Sequence, residues 1–289
     1  MTGFAVLLIV VAAFIHASWN FLAKRAGGGA AFVWLFGAVS ALVYTPLAVA
    51  LILLQSPHLG FMELTFIFGS AAIHAVYFLM LQRGYRVGDL SLVYPLARGT
   101  GPLLSVLAAI AFFAERPSTL ALIGAGLIVA GVFALATGGG TNWRRALIGN
   151  RRAVGYGLLT GSLIACYTLW DKHAVSVLLI PPLVLDWGSN FGRTLLVSPY
   201  ALSHWHEVRM QWRSHRFEAI AVGVLCPLSY ILVLTALVFT PVSYVAPARE
   251  ISIVFAILMG AHLLAEEGLR LRLTAAAAMV AGIIALSLG

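Results

Sequence analysis

Charged residues are scarce in this sequence. Asp, Glu, Lys and Arg together make up 10% of the 289 residues, against about 25% in a typical soluble domain. Hydrophobic residues make up 61% of the chain, and its mean hydropathy is +0.98. A single water-soluble core cannot bury so much apolar surface. The composition therefore predicts a protein whose helices are solvated by a lipid bilayer.

Cysteines and known catalytic motifs are also scarce. The two cysteines, Cys166 and Cys226, each lie within an apolar run, which predicts buried free thiols and no disulfide. The sequence has no Walker loop, no dinucleotide-binding glycine motif and no zinc-protease motif. The His-x-His spacing of His204 and His206 lies in an arginine-rich loop, so no metal site is predicted. We expect no cofactor and no enzymatic activity.

Ten apolar runs are long enough for membrane spans, since a helix needs roughly 20 residues to cross the hydrocarbon core. The first run has no basic residue at its start, so we interpret it as a span and not as a secretory signal. The predicted fold is an all-α polytopic membrane protein with ten transmembrane helices. The runs cover residues 3–23, 30–54, 62–82, 90–113, 119–137, 153–175, 181–203, 217–239, 242–265 and 272–289.

The sequence repeats itself. Arg98 is followed 17 residues later by Glu115, and Arg249 is followed 17 residues later by Glu266. In both halves the arginine comes after alanine and the glutamate also comes after alanine. This spacing predicts two related halves of five spans each.

Five spans per half is an odd number, so the second half must enter the membrane in the opposite sense. Inverted repeats of this kind are a common plan of secondary transporters, in which the substrate binds between the repeats near the midplane. We predict a first five-helix repeat over residues 1–140, a basic linker over 141–152 and a second repeat over 153–289.

The formal net charge is +8. The basic residues lie between apolar runs, so we expect contact with anionic lipid and not with nucleic acid. Thirteen of the 18 lysines and arginines fall in the odd-numbered loops. The positive-inside rule then places those loops in the cytoplasm and both termini outside. The predicted location is the inner or plasma membrane, crossed many times.

Arg98 is the first candidate for a substrate site. A charge at mid-membrane costs about 2.5 kcal/mol or more, so its side chain must face protein or a water-filled cavity. Pro95 and the Gly-Thr-Gly-Pro sequence after Arg98 indicate a broken helix. An arginine beside freed backbone amides suits a carboxylate or phosphate group. The alternative is a structural clamp, in which Arg98 pairs with Glu115 or with a helix carbonyl.

Two further polar patterns lie within spans. Arg249 and Glu250 follow Pro247 at the place in the second half that corresponds to Arg98. Glu250 is the candidate proton carrier, since removal from water favours the protonated form of a carboxyl group; a buried ion pair is the alternative. Residues 186, 190 and 193 form a polar stripe at i, i+4 and i+7. That stripe lines the pore or joins Asp186 to Arg193 through Asn190.

Aromatic and amide groups supply the remaining candidates. His16, Trp19 and Asn20 share a helix face at i, i+3 and i+4. Trp170 and Asp171 lie comparably on the sixth span, at the place in the second half that corresponds to Trp19 and Asn20, with Tyr167 one turn earlier. Such groups suit a polar organic solute. The alternative is that these tryptophans anchor helix ends at the membrane interface.

Four stretches have the order and spacing of a known family: 16–20 (HASWN) with Lys24, 88–99 (GDLSLVYPLARG), 114–116 (AER), and 248–250 (ARE) through Glu266. In these stretches the sequence resembles the drug/metabolite transporter superfamily, in its EamA-like branch. The resemblance implies ten helices in two inverted five-helix repeats and transport of amino acids or other metabolites. It also implies that spans five and ten are peripheral and that Arg98 and Arg249 face a cavity. Many members carry their basic residues in loops 2 and 4, which places their termini inside, opposite to the present pattern.

The function predicted from the sequence is alternating-access transport of a small polar metabolite with an anionic group, such as an amino acid, organic acid or phosphonate. The proposed proton carriers are Glu250 and Asp186, and a homodimer is left open. Alternatives are a membrane enzyme acting on a lipid-linked substrate and a non-transporting membrane subunit. The predicted substrate-binding residues are Arg98, Arg249, Tyr94, His16, Trp19, Asn20, Tyr167, Trp170, Asn190 and Arg193.

Overall fold

The computed structural model describes residues 1–27, 29–87, 90–137, 151–263 and 269–289, and these ranges form eleven helices and no strand. Five of the helical stretches are long and apolar enough to cross a membrane, which is the make-up of a helical membrane protein. The helices are α1 (Gly3–Arg25), α2 (Ala30–Gln55), α3 (Phe61–Val87), α4 (Leu90–Phe112), α5 (Thr119–Thr137), α6 (Arg151–Ser176), α7 (Pro182–Ser203), α8 (Trp205–Phe239), α9 (Val242–Ala248), α10 (Ile251–Leu263) and α11 (Leu269–Leu288).

Each of the ten predicted apolar runs overlaps a described helix. The ninth run differs from the prediction, because it is divided into α9 and α10 at Arg249 and Glu250. The thiols differ too: neither cysteine forms a disulfide, but Cys166 is exposed on the protein surface and Cys226 is only partly buried. An apolar span has a surface that lipid covers, so a thiol in such a run need not enter the protein core.

The chain folds into two compact units. The first unit consists of Met1–Val10, Ala75–Leu169 and Phe239–Gly289, and the second of Val11–His74 and Trp170–Val238. Each unit takes segments from both halves of the sequence. The units are therefore defined by packing, whereas the predicted domains 1–140 and 153–289 describe a repeat along the chain. Most of the predicted linker 141–152 lies outside the described residues, and its last two arginines begin α6.

In the first unit, α5 and α11 pack closely and run in opposite directions. Gly124 lies against Gly282, and farther along α5, Gly131 lies against Met279. A Cβ atom built on Gly124 would lie 2.5 Å from the carbonyl oxygen of Gly282. Small residues permit this approach of two backbones, which is how membrane helices gain packing energy without a hydrophobic driving force.

Gly124→Ala is expected to destabilise the protein by about 1–3 kcal/mol, because the added methyl group forces the two helices apart. The control is Gly126→Ala on the same helix, where a Cβ atom meets nothing within 4 Å. That control should be neutral or stabilising by up to about 1 kcal/mol, the gain in helix propensity from glycine to alanine. Unfolding of the purified protein in SDS measures both. Equal stability of the two variants would contradict the close helix contact.

In the second unit, α2 and α7 also pack in opposite directions. Trp34 near the start of α2 donates its Nε1–H to Ser198 Oγ near the end of α7, at 3.0 Å. Trp187 near the start of α7 donates to Thr45 Oγ1 at 2.8 Å. Both indole groups thus find acceptors within the helix pair, as buried tryptophans usually do. The core beside this pair contains Ala31, Phe32, Leu35, Ala201, Val208, Ala219 and Val222.

The seventh predicted loop is largely helical, which corrects the sequence interpretation. Helix α8 begins at Trp205 and is interrupted at His215, where φ is −134° and ψ is 31°. The stretch before the interruption mixes arginine with tryptophan and valine, so its mean hydropathy is low and a search for apolar runs misses it. Its apolar residues nevertheless recur with helical spacing, which is the pattern of an amphipathic helix.

Candidate functional site

The break between α9 and α10 falls at two charged residues, Arg249 and Glu250, which lie inside an apolar run. Pro247 lacks a backbone N–H and so weakens the helix locally. The chain then makes short i to i−3 bonds: Glu250 N–H donates to the Pro247 carbonyl at 3.0 Å, and Ser252 N–H to the Arg249 carbonyl at 3.2 Å. This tight turn interrupts the α-helical ladder at Arg249 and Glu250.

Arg98 on α4 meets this break. The helix interruption predicted around Arg98 itself is wrong, because α4 runs unbroken from Leu90 to Phe112. The Nε atom of Arg98 lies 3.0 Å from Glu250 Oε2, and its Nη2 donates a hydrogen bond to Ser252 Oγ at 3.1 Å. The two charged side chains are 13% and 5% exposed. Arg249 also interacts electrostatically with Glu250. We call Arg98, Arg249, Glu250 and Ser252 the Arg98 cluster.

Glu115 has another role than the predicted clamp. Its two carboxylate oxygens accept hydrogen bonds from the backbone N–H groups of Val242 at 2.7 Å and Ser243 at 2.9 Å. It therefore caps the first turn of α9. The alternative in which Arg98 pairs with Glu115 is wrong: Arg98 contacts Glu250 and Ser252, and the 14 residues of α4 from Arg98 to Phe112 carry the chain about 21 Å away before Glu115 is reached. Its counterpart in the second half, Glu266, lies outside the described residues.

The polar stripe on α7 is one hydrogen-bonded chain. Asn190 Nδ2 donates to Asp186 Oδ2 at 2.9 Å, and the Arg193 guanidinium donates to Asn190 Oδ1. Asp186 is buried. The interpretation that Asn190 joins Asp186 to Arg193 is confirmed. A fully bonded stripe of this kind can sit inside a membrane protein without facing lipid.

A third polar group was predicted from the sequence only in part. Asp171 on α6 is fully buried. Its Oδ2 accepts a hydrogen bond from the Tyr230 hydroxyl at 2.6 Å. His74 Nδ1 donates to the Ser70 carbonyl at 2.9 Å, which leaves Nε2 4.0 Å from Asp171 Oδ2. We call Asp171, His74 and Tyr230 the Asp171 cluster.

The sequence offered one signal for this cluster. Asp171 is an acid within an apolar run, and such residues are rare and usually functional. The sequence interpretation considered Asp171 as the repeat counterpart of Asn20 but chose its neighbour Trp170 for the substrate site. The contacts of His74 and Tyr230 with an acid on another helix require the tertiary fold.

The aromatic candidates on α1 are joined as their spacing predicts. The rings of His16 and Trp19 meet edge to face with centroids 4.9 Å apart. Trp19 Nε1 donates to Ser229 Oγ at 3.3 Å. Asn20 is exposed, and its side chain donates to the His16 carbonyl at 2.8 Å. These side chains are held by the fold of the second unit, and a substrate role for them stays a prediction.

Trp170 and Tyr167 fall in different packing units. Trp170 stacks on Phe66 with ring centroids 4.2 Å apart and donates its Nε1–H to the Phe66 carbonyl at 2.8 Å. Tyr167 is buried, and its ring meets that of Tyr77 edge to face with ring centroids 5.6 Å apart. The side chain of Tyr94 is outside the described residues. Within the described ranges, no three His, Cys, Asp or Glu side chains are placed to hold a metal ion.

Five described helices that are long and apolar enough to cross a membrane define the class of this chain as a helical membrane protein. No protein-family model matches the sequence, and no curated protein is significantly similar to it. A protein of known crystal structure is 14% identical and superposes with a TM-score of 0.72 over 98% of this chain and 98% of its own. At this identity the likeness shows that the fold recurs and nothing about activity.

Proposed function

We propose that this chain is a secondary transporter of the drug/metabolite transporter superfamily, in its EamA-like branch. It carries a small polar metabolite with an anionic group across the cytoplasmic membrane. The proposed architecture is ten membrane-spanning helices in two inverted five-helix repeats. The motifs around Arg98 and Arg249 support the family, and helix packing within each unit supports the repeat.

Helix direction supports the inverted repeat. If the two halves are inverted copies, equivalent helices run in opposite directions. The pairs α2 with α7 and α5 with α11 are the second with the seventh and the fifth with the tenth predicted spans, and each pair is antiparallel. The fourth and ninth spans follow the same rule, because Arg98 lies beside Glu250 while Glu115, later in the chain, lies beside the earlier Val242.

One observation carries the proposed function: the buried contact of Arg98 with Glu250 at an interrupted helix. Transporters commonly bind substrate and coupling ions where a membrane helix is discontinuous. A buried ion pair contributes little net stability, because desolvation of the charges offsets their attraction. A buried pair of charges in an apolar run is therefore better explained by a role in substrate binding than by a contribution to stability.

The pair suggests how a proton and an anion are coupled. The Glu250 carboxylate and a substrate carboxylate or phosphate compete for the same guanidinium group of Arg98. Protonation of Glu250 removes the competitor, so the proton and the anion bind together. Uptake or export then follows from alternating exposure of this site. Asp186 remains the alternative proton carrier, and the Arg98 cluster explains the preference for an anion.

The proposal is tested in two stages. Amino acids, organic acids and phosphonates are first screened for stabilisation of the purified protein, since a ligand that binds only the folded state raises its melting temperature. A stabilising compound is then followed as a radiolabelled solute in proteoliposomes under an imposed pH gradient. We expect accumulation that collapses with the gradient, and Glu250→Gln should abolish accumulation driven by the gradient.

The proposal would be contradicted if folded protein that is stabilised by a compound does not transport that compound in proteoliposomes. The competing candidate is a non-transporting membrane subunit, in which the ion pair of Arg98 is only a clamp. The second bond of Arg98, from Nη2 to Ser252 Oγ at 3.1 Å, favours this candidate, because a clamp holds its guanidinium group at more than one point. The double substitution Arg98→Met/Glu250→Gln separates the two.

A further inference from the structure

An open groove in the second unit is outside every polar cluster described above. It has a volume of about 450 Å³ and lies between α2 and the amphipathic segment of α8, residues 205–213. One wall is formed by apolar side chains of α2. The lining residues are Leu35, Ala38, Val39 and Leu42 on α2 and Trp205, Val208, Arg209, Trp212 and Arg213 on α8.

The α8 side of the groove is a single helix face. Its lining residues are spaced i, i+3, i+4, i+7 and i+8, which places them on one side of a helix. Val208 is buried in the core of the second unit and fixes this face against α2. Trp34 on α2 contacts Trp205 edge to face, with ring centroids 5.8 Å apart. The groove is therefore built by packing and does not depend on a mobile loop.

Positive charge lies at one side of this apolar groove. Arg209 and Arg213 are exposed. Among the described side chains, no carboxylate lies within ion-pair distance of either guanidinium group, whereas Arg25 and His215 both reach Glu218. Trp205 and Trp212 are each 41% exposed. Tryptophan and arginine together are typical of the boundary between hydrocarbon and lipid headgroups.

The opposite wall leads into the hydrocarbon. Leu42 is 77% exposed and lies in α2, one of the helices apolar enough to cross the membrane. A molecule that fills the groove must therefore be apolar along Leu35 to Leu42 and anionic beside the two arginines. A soluble metabolite has no such apolar part, and a zwitterionic lipid brings its own cation, which weakens its attraction to arginine.

We propose that this groove binds one anionic phospholipid, with its phosphate at Arg209 and Arg213 and an acyl chain along the α2 wall. The two arginines supply the charge, and the headgroup lies at the level of the two tryptophans. The inference does not depend on transport. It needs only that the helices lie in a bilayer.

Native mass spectrometry of the full-length protein in detergent tests the proposal, with phosphatidylglycerol as the anionic probe and phosphatidylcholine as the zwitterionic one. The first lipid bound should be phosphatidylglycerol, with clear preference over phosphatidylcholine. Substitution of both arginines by glutamine should weaken its binding by about five-fold for each arginine, the effect expected of a basic residue near anionic lipid. Both side chains are exposed, so the variant keeps its fold.

Matched control variants separate lipid binding in the groove from general effects of surface charge and of side-chain size. Arg216→Gln removes the same charge nearby but outside the lining and should leave binding unchanged. Ala38→Phe fills the apolar wall and should weaken binding, whereas Ala50→Phe, exposed elsewhere on α2, should not. The proposal fails if the double glutamine variant retains the preference, if Arg216→Gln loses it equally, or if Ala38→Phe binds like the unaltered protein.

Discussion

Arg98→Met is expected to destabilise the protein by about 3–5 kcal/mol, the cost of leaving one member of a buried ion pair without its partner. The Glu250 side chain is 5% exposed, so solvent cannot replace the lost guanidinium. Methionine retains much of the length of arginine, which limits the loss of packing. Unfolding of the purified variant in SDS measures the change.

The double substitution Arg98→Met/Glu250→Gln should regain most of that stability, because neither member of the pair then remains buried and charged without the other. A transport assay distinguishes the two possible roles of the Arg98–Glu250 ion pair, substrate binding and a structural clamp. If Arg98 binds the anionic substrate, the double variant is stable but inactive in proteoliposomes. If the double variant transports the substrate identified by thermal shift at the normal rate, the anion site is refuted and the pair is a structural clamp.

Tyr230→Phe is expected to lower the free energy of unfolding by about 1.5–3 kcal/mol, the range for a hydrogen bond to a charged group. The substitution removes one hydroxyl group and leaves the fully buried Asp171 without a donor that now lies at 2.6 Å. The ring and its contact with His74 are retained. Thermal unfolding of the purified protein reports the difference.

Tyr200→Phe is the control, because its hydroxyl lies 3.4 Å from Glu207 on the exposed surface. A surface change of this kind should alter stability by less than about 0.5 kcal/mol. If Tyr230→Phe is as mild as this control, the Asp171 carboxylate does not depend on the tyrosine.

The apolar runs located the helices because hydropathy along a chain is a local property. Hydropathy also located Arg98 and Glu250, since a charge within an apolar run is visible without any structure. Hydropathy could not identify the contact between these two residues. Glu250 lies on another helix, and the paired spacing of Arg98 and Glu115 suggested the wrong partner. The same interval separates Arg249 from Glu266 in the sequence, but Glu115 bonds to the backbone at the start of α9 and not to Arg98.

The α7 stripe and the Asp171 cluster show the same limit. Asp186, Asn190 and Arg193 lie on one helix, so their spacing alone predicted that they face one another. His74, Asp171 and Tyr230 come from three helices, and only packing brings them together. The amphipathic part of α8 was missed for a different reason, because its arginines lower the hydropathy of a segment that is nevertheless helical.

The antiparallel contacts of α5 with α11 and of α2 with α7 have an electrical consequence. Each helix carries a dipole along its axis, and two helices in opposite directions largely cancel. A membrane voltage, worth about 2.3 kcal/mol per elementary charge per 100 mV, therefore does little work on these backbones. Within these two helix pairs, the force of a membrane voltage therefore falls on charged side chains and not on the backbone.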